Sequence, residues 1–165
     1  MKSERQKVLD YLSEMNINCN VVEHPAVYTM EEMDNLHIDP HNQVVKNLFV
    51  RDDKKKRYFL LTVQKDKRVD LKELRAKLGS RPLSFASESA LQEILGLDKG
   101  AVTPFGVLND TNCRVEVVLD SEIRHFHRVG IHPNDNTATV WIAPKDLETV
   151  IKKHGNMFFY LDIEK

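Results

Sequence analysis

Apolar positions recur along the chain with two periods. Over residues 4 to 15, Val8, Leu9, Leu12 and Met15 return at helical spacing behind Ser3 and Gln6, a capping-box pair, and predict an amphipathic helix that stops near Asn16. "INCNVVEH" alternates like a strand until Pro25 breaks it, and Thr29 with Glu32 is spaced to cap a short helix in "TMEEMDNL". "QVVKNLFVRD" and "RYFLLTVQ" flank a charged turn and predict a hairpin with a loop of several residues. Asp70 and Gly79 bracket leucines 71, 74 and 78 as a capped helix, and "SESALQEILG" repeats that pattern to Gly96. Strands are predicted around "TPFGVLN" and in "CRVEVVLD" and "TATVWIA". A helix then opens at Pro144 in "PKDLETVIKKHG", and "MFFYLDI" is the last strand. No strict βαβ repeat appears. The expectation is α+β: one domain over 1–165, with a mixed, largely antiparallel sheet of about seven strands flanked by helices.

One position breaks the hairpin pattern. At period two, Val44, Lys46, Leu48 and Val50 share a face, and Val45, Asn47, Phe49 and Arg51 share the other. Lys46 therefore lies on an apolar face. Taking an unpaired ammonium out of water is costly, so the position asks for an anion.

Composition narrows the choice of anion. With 165 residues, 41% of them apolar, the chain can bury a proper core. A net charge of -1 argues against a general nucleic-acid coat, so any such contact is local. "KKKR" at 54 to 57 and "KDKR" at 65 to 68 could supply one, or could be a solvated turn and loop. Cys19 and Cys113 form no C-x-x-C pair, which fits a reducing compartment better than a disulfide scaffold. The N-terminus lacks a signal-peptide core, and no run nears the roughly 18 apolar residues of a membrane span. The expectation is a soluble cytoplasmic protein with no membrane partner.

Most enzyme signatures are missing: there is no G-x-S-x-G, P-loop, G-x-G-x-x-G or H-E-x-x-H. "HFH" at 125 to 127 with His132 has two imidazoles at alternate positions, but no carboxylate or cysteine pattern completes a metal set. Cys113, at a strand start, reads as packing more readily than as a nucleophile. Three stretches remain: "VVKNLFVRD", "GAVTPFGVLND", and "GIHPNDNTATVWI" with His132, Asn134, Asn136 and Thr137. Each has an ordinary reading: Lys46 snorkelling, Gly100 and Gly106 making turns, His132 a surface histidine before proline.

Together and in this order, with "EHPAVYTMEE" upstream and "APKDL" downstream, these stretches resemble the free-standing members of the YbaK/prolyl-tRNA synthetase-associated editing domain family, over nearly the whole chain. The resemblance implies hydrolysis of mischarged tRNA without a cofactor or metal. It puts the family's essential lysine on Lys46, its neighbouring asparagine on Asn47 and the histidine of H-P-x-x-N on His132. The anion for Lys46 is then a phosphate at the 3′ end of tRNA(Pro), with prolyl-tRNA synthetase as a further candidate partner and no role for DNA.

Gly100, Ala101, Val102, Thr103 and Pro104 form the G-x-x-x-P loop, whose amides are candidate oxyanion donors. On a regular strand Asn47 points away from Lys46, so joint use would need a bulge or the strand end. His132 could bind the 2′-OH, orient water, hold the loop or act as a base. The H-P-x-x-N segment resembles the Ala-tRNA(Pro) branch rather than the Cys-tRNA(Pro) branch. A site too small for proline would complement a synthetase that cannot exclude alanine, since a few methylenes discriminate by only about 1 to 3 kcal/mol. Val22 and Met30 are candidate pocket walls. A non-catalytic sensor of charged tRNA or an amino acid on the same fold is the alternative.

Overall fold

The computed structural model describes residues 3–24 and 43–163. Its elements are α1 (Glu4–Glu14), β1 (Cys19–Glu23), β2 (Gln43–Asp52), β3 (Tyr58–Gln64), α2 (Leu71–Leu78), β4 (Leu83–Phe85), α3 (Glu88–Ala90), β5 (Val115–Asp120), β6 (Val129–Ile131), β7 (Ala138–Ile142), α4 (Pro144–His154) and β8 (Phe158–Leu161). The expected short helix in "TMEEMDNL" and the candidate wall Met30 lie outside the described residues.

Local chemistry sets the helix ends as expected. Ser3 caps α1 by accepting from the Gln6 amide at 3.1 Å, and Asp70 caps α2 through the Lys72 amide at 2.9 Å. Gly79 closes α2 in the left-handed region, at φ 64°. "SESALQEILG" departs from a regular helix: α3 is capped by Ser87 and passes into one π-helical turn, Leu91–Leu95, before Gly96.

"TPFGVLN" is a 3-10 helix, Pro104–Asn109, and not the predicted strand. Pro104 presets the first turn, the Thr103 hydroxyl accepts from the Phe105 amide at 3.4 Å, and Gly106 packs against the chain before it. A Cβ on Gly106 would come within 2.6 Å of Leu97 Cδ1.

The strands form one eight-stranded sheet in the order β1-β7-β6-β2-β3-β5-β8, with β4 also on β2. It is mixed, as expected, with four antiparallel ladders and three parallel ones among the described residues. The extra strands, β4 and β6, are three residues each, too short for alternation to show.

One face of the sheet carries the main core, including Val45, Phe49, Leu60, Val117, Val129, Ile131, Val140 and Ile142, with α1 and α4 packed on it. On the opposite face α2 covers a second cluster of Val50, Phe59, Leu61, Val63 and Val118 through Leu74. That second cover belongs to the β2–β3–β5 half. The β1–β7–β6 half of the same face holds the candidate site.

Candidate functional site

The site lies where β2 changes partners. It runs parallel to β6 for two pairs only, Gln43↔Val129 and Val44↔Gly130, while β4 joins the same edge from Val50 onward. Between these contacts the edge of β2 carries no strand among the described residues. Lys46 and Asn47 fall in this gap. On the other edge, β2 pairs with β3 one for one from Val45↔Gln64 to Arg51↔Tyr58, without a bulge.

Strand register then decides which side chains share a face. Lys46 pairs with Val63 and by alternation shares the face of Val44, whose partner across the short parallel ladder is Gly130; the His132 ring, beside His24 and Thr139, is on the face of Gly130. Trp141 lies across from Gly130, close enough that a Cβ there would meet the indole at 2.6 Å. Thr139 follows on β7, paired with Val22 of β1. Val22 is 46% exposed. Lys46, His132, Thr139 and Val22 therefore line one face. The Lys46 side chain is half-buried, and no side chain among the described residues bonds its ammonium.

His132 is held by its own chain. Its Nδ1 lies 2.9 Å from the Ala138 carbonyl, and because a carbonyl only accepts, Nδ1 carries the hydrogen and the neutral ring offers Nε2 as an acceptor. Burial lowers the His132 pKa below its ordinary 6.5, and His24 lowers it further; the Ala138 bond and Asp135 oppose but do not cancel this. The two rings are tilted at 58° to each other with centroids 6.1 Å apart, and His24 Nε2 lies 2.8 Å from the Thr139 hydroxyl. Asp135 is held below the usual carboxylate range: burial raises it, and hydrogen bonds from Thr137 together with Arg5 outweigh that. These bonds fasten the turn after His132, where Asn134 takes φ 60°.

The loop from Gly100 to Pro104 crosses the gap and is tied at both sides. The Thr103 hydroxyl donates to the His132 carbonyl at 2.6 Å, and Asn47 Nδ2 donates to the Val102 carbonyl at 3.2 Å. Asn47 Oδ1 accepts from the Thr62 hydroxyl at 2.7 Å. Asn47 thus reaches the loop from the core face, whereas Lys46 lies on the face of His132. Ala101, Thr103 and Pro104 are buried, and Gly100 belongs to a 3-10 turn, Lys99–Ala101.

His24, Thr139 and Thr62 were not singled out by sequence reasoning. Thr62 breaks the apolar run among the six buried positions of "YFLLTV", and hairpin pairing sets it opposite Asn47. That signal is readable from sequence. Cys113, by contrast, points its thiol at the His154 carbonyl, 3.6 Å away, and His125 ends a 3-10 helix, Ser121–His125.

The basic clusters divide. Lys54, Lys55 and Lys56 are exposed in the β2–β3 turn, while Arg57 is bound to Glu116 through two 3.0 Å contacts. Lys67 is 6% exposed and bound to Asp120, Glu122 and the Ile163 carbonyl at 2.5, 2.8 and 2.9 Å. It is a buried ion-pair residue and cannot serve as a surface contact.

A family model described as an aminoacyl-tRNA editing domain matches residues 24–150. Prolyl-tRNA editing protein ProX of Acetoanaerobium sticklandii is 47% identical over 159 residues, covering 96% of this chain and 97% of that one. Prolyl-tRNA synthetase associated domain-containing protein 1 of Xenopus laevis is 38% identical over 161 residues, 92% of each chain. A solved structure of a candidate trans-editing enzyme for prolyl tRNA synthetase superposes with a TM-score of 0.78 at 23% identity, covering 100% of this chain and 99% of that one, and so shares the fold. The chain belongs to the aminoacyl-tRNA editing domain family.

Proposed function

We propose that this aminoacyl-tRNA hydrolase acts in trans on mischarged tRNA(Pro) and removes alanine. The observation that carries the reading is the convergence of Lys46, the His132 ring and the tied loop on one break in the sheet, in a chain whose relatives include a prolyl-tRNA editing protein. Lys46 has a four-carbon stem, long enough to bring its ammonium round the unpaired edge to a terminal phosphate, and an ammonium grips as a point charge that can release again. His132 Nε2 accepts from the attacking water or from the ribose 2′-OH. Loop amides stabilise the oxyanion, and Asn47 acts through the loop it holds. Val22 bounds the amino-acid pocket, and the whole chain, 1–165, works as one cytoplasmic editing unit beside prolyl-tRNA synthetase. Parallel multiple-turnover assays on Ala-, Cys- and Pro-tRNA(Pro) test the specificity: alanine is released fastest, and faster release of cysteine would move the protein to the other branch.

The His132 ring must be neutral to accept, and its pKa is lowered, so the neutral form persists to lower pH than for an ordinary histidine. The acid limb of the kcat/KM profile is therefore expected at lower pH than an ordinary histidine would give. Loss of the acid limb in His132→Ala checks the assignment.

Gln64 pairs with Val45, so the chain following β3 emerges at the Lys46 end, whereas the turn with Lys54 to Lys56 lies about 20 Å away at the other end of β2. Arg68, exposed at the near end, is the better phosphate contact. Arg68→Glu is expected to raise KM for tRNA several-fold with kcat unchanged, and to reduce the log-log salt slope by about 0.7. Charge reversal at Lys54, Lys55 and Lys56 is expected to change neither.

A further inference from the structure

We infer that Thr62 is a positioning residue for hydrolysis, setting the direction of the Thr103 amide through Asn47. This rests on the reading of the loop as the oxyanion site. An asparagine amide has two chemically different ends that can exchange by a half-turn, and what fixes the choice is its partners. The Thr62 hydroxyl is fully buried and donates to Oδ1 at 2.7 Å, which turns Nδ2 outward to the Val102 carbonyl at 3.2 Å. A trans peptide holds its C=O and the following N–H on opposite sides. With the Val102 carbonyl drawn toward Asn47, the Thr103 N–H of the same peptide is directed away from Asn47. Among the described residues that amide donates to nothing. The second tie, from the Thr103 hydroxyl to the His132 carbonyl at 2.6 Å, fixes the same residue from the other side. Thr62 touches no substrate in this scheme; it selects the amide orientation that aims the donor.

Thr62→Val preserves shape and removes the hydroxyl. It is expected to lower kcat on Ala-tRNA(Pro) about tenfold with KM within about twofold, and Thr62→Ser to retain wild-type kcat. A purely structural role would multiply with other losses, so the deciding measurement is the cycle with Asn47→Ala: Thr62→Val should cost nothing further in that background. Thr62→Ala repeats the cycle should the valine variant fold poorly. Wild-type kcat in Thr62→Val, or a full additional loss on top of Asn47→Ala, overturns the inference. Absence of turnover by the wild-type protein would instead overturn the functional reading beneath it.

Discussion

Lys46→Ala is expected to reduce Ala-tRNA(Pro) hydrolysis by at least about a hundredfold while the protein folds normally. The two halves of this outcome have separate physical causes. Lys46 sits at the β2 gap, half-buried on the face of His132, where a local dielectric below that of water strengthens attraction to a phosphate. In the proposed reading, removing the ammonium takes away the grip on that phosphate. No described side chain pairs with it, so alanine orphans no buried anion, and the stability change stays within about 1 kcal/mol. Single-turnover hydrolysis beside a thermal melt reads both. A variant that folds and hydrolyses at the wild-type rate removes Lys46 from the site.

Lys67, a buried lysine, should behave in the opposite way. Lys67→Ala is expected to destabilise the fold by about 3 to 5 kcal/mol, because it leaves Asp120, itself 1% exposed, as an uncompensated buried charge beside Glu122. It also releases the Ile163 carbonyl and so loosens the chain after β8. Chemical denaturation measures the loss, and a midpoint unchanged from wild type contradicts the assignment. Burial alone would lower the Lys67 pKa, but Asp120 and Glu122 outweigh it and raise the value above 10.5. A raised folded-state pKa stabilises fully below the unfolded value, so this contribution is present at neutral pH and is lost only as pH rises through the folded value.

These two lysines mark the boundary of what sequence reading reaches here. The hairpin from 43 to 64 was legible because two long strand-forming runs flank a charged five-residue turn. Register alone made Asn47 and Thr62 neighbours. Helix ends at Ser3, Asp70, Gly79 and Pro144 were legible because capping is local chemistry. Lys67 was not, since its partner Asp120 is 53 residues away and only the parallel pairing of β3 with β5 brings them together. "TPFGVLN" misled for a related reason: its apolar content reports burial, and only Thr103, Pro104 and the crowding at Gly106 turn it into a 3-10 helix. Lys46 and Asn47 posed a conflict as neighbours on one strand. The unpaired edge and the loop across it ease the conflict, giving each residue its own face without a bulge.

The most direct test of the proposed editing activity is release of alanine from Ala-tRNA(Pro) by catalytic amounts of the protein, with Pro-tRNA(Pro) as the paired control. Many alanines should be released per protein molecule, with the proline ester left intact. Stoichiometric binding of the charged tRNA without release, or equal hydrolysis of both esters, would contradict it.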